Sequence, residues 1–114
     1  MKRIIGVVRV GIVGEVLREL FLNGFNCLSV SDMKVLGDAH DPKHEHLSFE
    51  YEKYYSKMSR IEVLCKDNEA LKAFEIIKHD ARTQHQGDGY VFFSAVEGLT
   101  NIFDGETGEY SFLS

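Results

Sequence analysis

Positive charge is in short supply in this chain: 13 lysines and arginines stand against 18 aspartates and glutamates, a formal net charge of −5. That balance argues against non-specific nucleic-acid binding, which needs a cationic face. Cysteine is scarce too. Cys27 and Cys65 are the only two; both lie inside apolar runs and read as small buried core residues. They form no Cys-x-x-Cys spacing, which excludes a zinc ribbon of the usual kind. No apolar run approaches the ~18 residues of a membrane-spanning helix, so no direct membrane insertion is expected. No secretory leader pattern is evident either, and the expected location is cytoplasmic. Catalysis lacks its usual parts. His79 and His85 flank a turn with no evident nucleophile, no serine–histidine–aspartate pattern can be placed, and the chain is not expected to be an enzyme.

What is present fits a small mixed domain. The 114 residues suffice for one domain, and 44% of them are apolar. A chain this short buries a moderate share of its surface, which makes oligomerisation plausible on size alone. Residues 4–10 are apolar and β-branched and predict a buried strand. Val13, Val16, Leu17 and Leu20 follow at helical spacing, with Gly24 as the helix stop. Residues 25–36 read as a second strand. Residues 37–56 are polar, hold the only proline (Pro42) and show no steady period, so they read as one long loop; loops longer than ~12–15 residues are usually functional. A third strand is predicted at 58–65. Asp67 or Asn68 can cap the next helix, whose inner face is Ala70, Ala73, Phe74, Ile77 and Ala81. A glycine-rich turn, a strand at 90–96 and an irregular tail complete the chain. The order β-α-β-β-α-β predicts an α+β, ferredoxin-like fold: a four-stranded antiparallel sheet with two helices on one face. The other face then needs a cover, and self-association would supply one.

The stretch from Ala81 to Phe92 is the richest in signal. A helix ends, Gly87 and Gly89 bracket Asp88, and an apolar strand begins. Glycines can place backbone N–H groups in a concave nest that attracts phosphate oxygens, although most Gly-Asp-Gly hairpins are plain turns. Asp88 reads as the organiser of that turn. The long loop holds His40, His44 and His46 among the carboxylates Asp38, Asp41 and Glu45. Imidazole and carboxylate suit zinc, copper or nickel, and His44 and His46 share one face of an extended chain. A solvated polar loop with incidental histidines, or a loop sensitive to pH near neutrality, explains the same residues.

Taken together, these motifs resemble the PII signal-transduction family, the nitrogen regulatory P-II proteins. The resemblance is carried by Ile61-Glu62-Val63, by the 37–56 loop in the position of the family's T-loop, by Thr83 with Gly87-Asp88-Gly89 and Phe92 in its B-loop, and by Gly105-Glu106 and Gly108 near the C-terminus. It implies one PII-like domain over 1–114, with a T-loop at 37–56, a B-loop at 82–90 and a C-terminal segment at 97–114. It further implies a homotrimer that binds adenine nucleotide in the cleft between subunits. Ser29 and Glu62 would hold adenine and ribose, Gly37 would let the T-loop base pass close to the ligand, and Gly87, Asp88, Gly89 and His85 would line the phosphate end. Several cationic positions of the family differ here: Asp38, Gln84, His85, Tyr90, Asn101 and Phe103 stand where phosphate-binding residues are expected, and Met58 and Ala39 replace residues that hold 2-oxoglutarate and its metal. Each charge-assisted hydrogen bond lost costs about 1.5–3 kcal/mol, so ADP or AMP is expected in preference to ATP, with no nucleotide as the limiting case. The T-loop would act on a target protein; in the family this is an ammonium transporter or a metabolic enzyme. Tyr51 stands where some members carry a modified tyrosine, and Tyr51 and Phe49 suit a protein-binding tip. Two alternatives stay open: a metal-responsive trimer that uses the loop histidines, and an interaction module that has lost ligand control.

Overall fold

A computed structural model describes residues 1–51 and 53–108; the last six residues of the 97–114 segment, and Glu52 of the loop, lie outside the described residues. Strand β1 (Lys2–Arg9) leads through a short 3-10 turn into helix α1 (Val13–Leu22), followed by β2 (Leu28–Leu36), β3 (His46–Ser48), β4 (Lys53–Cys65), α2 (Ala70–Asp80) and β5 (Gly89–Ala95). The sheet order is β2-β4-β1-β5, antiparallel throughout, with β3 added to β4. The ferredoxin-like βαββαβ pattern stands, but among the described residues the sheet has five strands rather than the predicted four.

The extra strand has a clear physical origin. Residues 53–57 look polar, and the loop expected at 37–56 takes in all but the last of them. They pair on one side with β2, Leu36 opposite Tyr55, and on the other with β3, where His46, Leu47 and Ser48 face Tyr55, Tyr54 and Lys53. β3 therefore continues the side of β4 that β1 leaves beyond Met58. Tyrosines favour a pleated, half-buried surface, and the His46 ring lies 5.4 Å from that of Tyr55. The long loop is thus partly structured, and its tip is the part between β3 and β4.

The core follows the two periods of the chain. Ile4 and Val8 of β1, Ile61, Val63 and Cys65 of β4, Val16 and Leu20 of α1, and Ala73 and Ile77 of α2 form one buried cluster, so both helices cover the same sheet face. Gly6 sits under α2, where a Cβ would meet Ile77 Cγ2 at 2.7 Å. Contrary to the strand expected at 25–36, Phe25 does not belong to β2, which starts at Leu28. It plugs the core after α1, its N–H donating to the Leu20 carbonyl at 3.0 Å. Phe74 is half-buried and meets Phe93 edge to face at 5.4 Å. Neither Asp67 nor Asn68 caps α2: a 3-10 turn, Asp67–Glu69, precedes the helix, and the Asp67 carboxylate instead accepts from the N-terminal ammonium at 2.5 Å. The opposite sheet face carries a smaller buried cluster, Ile5, Val7, Val35 and Met58. On its outer strand, Tyr90 and Phe92 stack at 6.3 Å and remain nearly half exposed.

Candidate functional site

The turn between α2 and β5 is built around one carboxylate. Asp88 accepts from the Thr83 backbone N–H at 2.7 Å, from the Gln84 N–H at 3.0 Å, from the Thr83 hydroxyl, and from Arg9 Nε at 2.9 Å. Burial alone would raise its pKa; the Thr83 hydroxyl, Arg9 and the Thr83 N–H outweigh that and lower it to about 2. Asp88 therefore organises the turn, and it engages the amides of Thr83 and Gln84 itself. Gln84 is held at φ 66°, the left-handed region, and is the only non-glycine with positive φ among the described residues. That conformation costs a side-chain-bearing residue roughly 1 kcal/mol, partly offset for glycine by its freer unfolded chain. Gln84→Gly is accordingly expected to raise stability by about 0.5–1 kcal/mol, read as a thermal midpoint a few degrees higher. A lower midpoint would mean that the Gln84 side chain itself stabilises the turn.

The turn does not stand alone. Arg9, at the end of β1, reaches out between two carboxylates: Nε donates to Asp88, and the other two nitrogens donate to Asp41 and to the Gln86 carbonyl, the latter at 3.0 Å. Asp41 belongs to the long loop and is almost wholly buried. Its carboxylate also receives the Lys43 N–H at 3.0 Å and His44 Nδ1 at 2.9 Å, and its own N–H donates to Ser56 Oγ at 3.1 Å. Arg9 first, opposed by burial, then Lys43 and His44, hold the Asp41 carboxyl far below the ordinary carboxylate range. The backbones touch as well: a Cβ on Gly87, at φ 92°, would lie 2.5 Å from Asp41 Cα. Between loop and turn lies a cleft of about 560 Å³, lined by Arg9, Asp41, Pro42, Lys43, His44, Thr83, Gln84, His85 and Gln86. Three sequence-predicted residues, Gly87, Asp88 and His85, thus meet at or beside one cleft. Gly89 fixes the start of β5 beside them.

Ser29 and Glu62 stand elsewhere. They pair directly across β2 and β4, and Glu62 also faces Ile5, which puts both on the sheet face away from the helices. Glu62 is flanked by Arg3 at 3.5 Å and Arg60 at 3.7 Å. β2 and β5 are the outer strands of the four-strand path; three inter-strand spacings separate them by about 14 Å. Within one chain Ser29, three strands from β5, and Glu62, two strands from it, thus lie apart from the B-loop across the sheet. Gly37 ends β2 at φ 80° and opens the loop.

The loop histidines are dispersed. His40 places Nδ1 2.6 Å from the Gly37 carbonyl and Nε2 2.8 Å from Glu45. Two acceptors suit the imidazolium, and the Gly37 carbonyl, then Glu45, raise its pKa. His44 serves Asp41, and His46 packs on Tyr55. Among the described residues no three histidine, cysteine or carboxylate side chains gather as a metal-binding group. Tyr51 is about half exposed, with Lys34 Nζ 5.9 Å from its ring centre.

Sequence reasoning missed Arg9, Asp41, Lys43 and Ser56. Arg9 closes the apolar run 4–8 of β1, and a cation ending such a run was the available signal. Asp41 was counted only among the loop's carboxylates, as a metal neighbour of the histidines or a solvated residue.

The family model for nitrogen regulatory protein P-II matches residues 1–106. The chain is 32% identical over 109 residues to nitrogen regulatory protein P-II of Cereibacter sphaeroides, covering 96% of this chain and 97% of the relative. The Rhizobium meliloti protein of the same name is 30% identical over 108 residues, 95% of this chain and 96% of the relative. Nitrogen regulatory protein P-II 2 of Methanothermobacter thermautotrophicus is 26% identical over 109 residues, with 96% and 95% covered.

Proposed function

The chain belongs to the nitrogen regulatory protein P-II family, and on that premise we propose that it is a regulatory switch whose input is a phosphate-bearing effector and whose output is a target protein. The effector is an adenine nucleotide, ADP or AMP in preference to ATP, and the output surface is the 37–56 loop. The observation that carries this reading is Arg9, which joins Asp88 of the Gly-Asp-Gly turn to Asp41 of the loop. A ligand that takes Arg9 at the turn biases the loop, because both share one guanidinium. The preference for fewer phosphates follows from charge: Asp38 and Asp41 both lie at the loop base, and Asp41 already faces Arg9.

The separation of Ser29 and Glu62 from the turn supports a cleft shared between copies. One subunit would then offer Glu62 to the ribose and the next would offer its turn to the phosphates; the half-exposed Tyr90 and Phe92 face is the surface available for assembly. A homotrimer in the cytoplasm is the assembly and location proposed. Among the described residues no helix is long and apolar enough to cross a membrane.

Calorimetric titration with AMP, ADP and ATP tests the reading. ADP or AMP is expected to bind more tightly than ATP, and Glu62→Ala is expected to weaken either by about tenfold or more, the loss of a charged hydrogen-bond acceptor. Absence of heat with all three nucleotides would remove the nucleotide-sensor reading.

A further inference from the structure

The long loop carries an anion of its own into the cleft. Asp41 is 3% exposed at its side chain, unusual for a loop carboxylate, and the bonds that hold it come from Arg9, His44 and the Lys43 amide. Arg9 presents a planar fork of donors that fits a carboxylate or a phosphate. Of its two carboxylate partners, Asp88 is fixed, because the same side chain also closes the turn through Thr83 and Gln84. Asp41 is exchangeable, because it belongs to the loop and contacts the turn only through Arg9 and the close approach at Gly87.

We infer that Asp41 is an internal competitor for the effector's phosphate: it occupies Arg9 in the empty site, and a phosphate that takes Arg9 expels it and lifts the loop from Gly87. The inference rests on the proposed reading of the cleft as the phosphate end of the effector site, and it adds the step by which that site reaches the loop. The docked loop is then the ligand-free state, and loop release is linked to binding by a shared cation. By linkage, the carboxylate that keeps the loop down weakens the ligand, and the ligand weakens the dock by the same factor.

Asp41→Asn separates the two roles, since the amide keeps the shape and loses the charge. In full-length protein, calorimetry is expected to show ADP binding about tenfold or more tighter in Asp41→Asn than in the parent, the effect of removing one charge-assisted competitor. Inorganic pyrophosphate, titrated alongside, shows the same gain if phosphate alone competes; a gain confined to ADP says that the nucleoside must anchor the ligand first, and either result supports the competition. Hydrogen exchange supplies the second readout. The Asp41 amide is tied to Ser56 of β4 in the docked loop, whereas those of Lys43 and His44 bond Asp41 within the loop. The Asp41-position amide is expected to exchange in ligand-free Asp41→Asn as fast as in the parent saturated with ADP. Equal ADP affinity in the two proteins overturns the competition and leaves the nucleotide reading standing. No ADP heat in either protein overturns both.

Discussion

Gly89→Ala will lower the unfolding free energy by about 3–5 kcal/mol, or prevent folding altogether, because its Cβ would make the closest approach of any at the described glycines. A Cβ built at Gly89 lies 1.8 Å from the Val7 carbonyl oxygen and 2.9 Å from its carbon. Those are backbone atoms of the neighbouring strand, and Gly89 is paired with Val8 in that ladder. Neither can give way without opening the β1–β5 pairing. The residue also sits at φ 105°, a conformation that costs a non-glycine roughly 1–3 kcal/mol before any clash is counted; overpacking adds a similar amount. For a domain of this size the thermal midpoint should fall by about 15 °C or more. Gly98→Ala is the matched control, because its Cβ would meet nothing within 4 Å and its φ is not positive; it should shift the midpoint by a few degrees at most. A Gly89→Ala midpoint within about 2 °C of the parent would mean that β5 does not leave the turn as described.

Part of this architecture was legible because it is local. The helices announced themselves at Val13, Val16, Leu17 and Leu20, and again at Ala70, Ala73 and Ile77, where burial repeats with the helical period. Asp88 was readable as the organiser of its turn because an aspartate bonds backbone groups only a few residues away. The parts that were not legible depend on pairing at a distance. Residues 53–57 have no apolar alternation, and they become strand because β2 and β3 pair with them from both sides. The Arg9 bridge joins positions 32 and 79 residues apart, and no local pattern encodes such a meeting. The cap expected at Asp67 failed for a related reason: the amino terminus, brought beside it by the end of β1, is a stronger partner than a helix amide. At the site, the sequence pattern put Gly87, Asp88 and Gly89 on the turn between α2 and β5. The Asp41–Arg9 contact was not legible, because it joins the loop to a strand end 32 residues away.

Asp88→Asn should cost about 2–3 kcal/mol at pH 7, and the cost should fade in acid. The carboxylate gathers Arg9, the Thr83 hydroxyl and two backbone amides; an amide offers one acceptor oxygen in place of two and turns its own donors toward them. The sign of the pH effect follows from the depressed pKa, about 2 in the folded protein against 3.8 for the unfolded side chain. A group shifted downward contributes its full stability above the unfolded value and loses it as pH falls through the folded one. The gap corresponds to about 2 kcal/mol for a side chain that is 20% exposed. Denaturant unfolding from pH 7 to pH 2 should therefore show the parent losing stability below about pH 4 more steeply than Asp88→Asn, with the two curves converging. Asp41, also shifted downward, stays in both proteins, so the variant keeps some acid sensitivity of its own. A difference that stays constant across the whole range would mean that Asp88 acts through shape alone. In that case the shared guanidinium would couple loop and turn by packing rather than by charge.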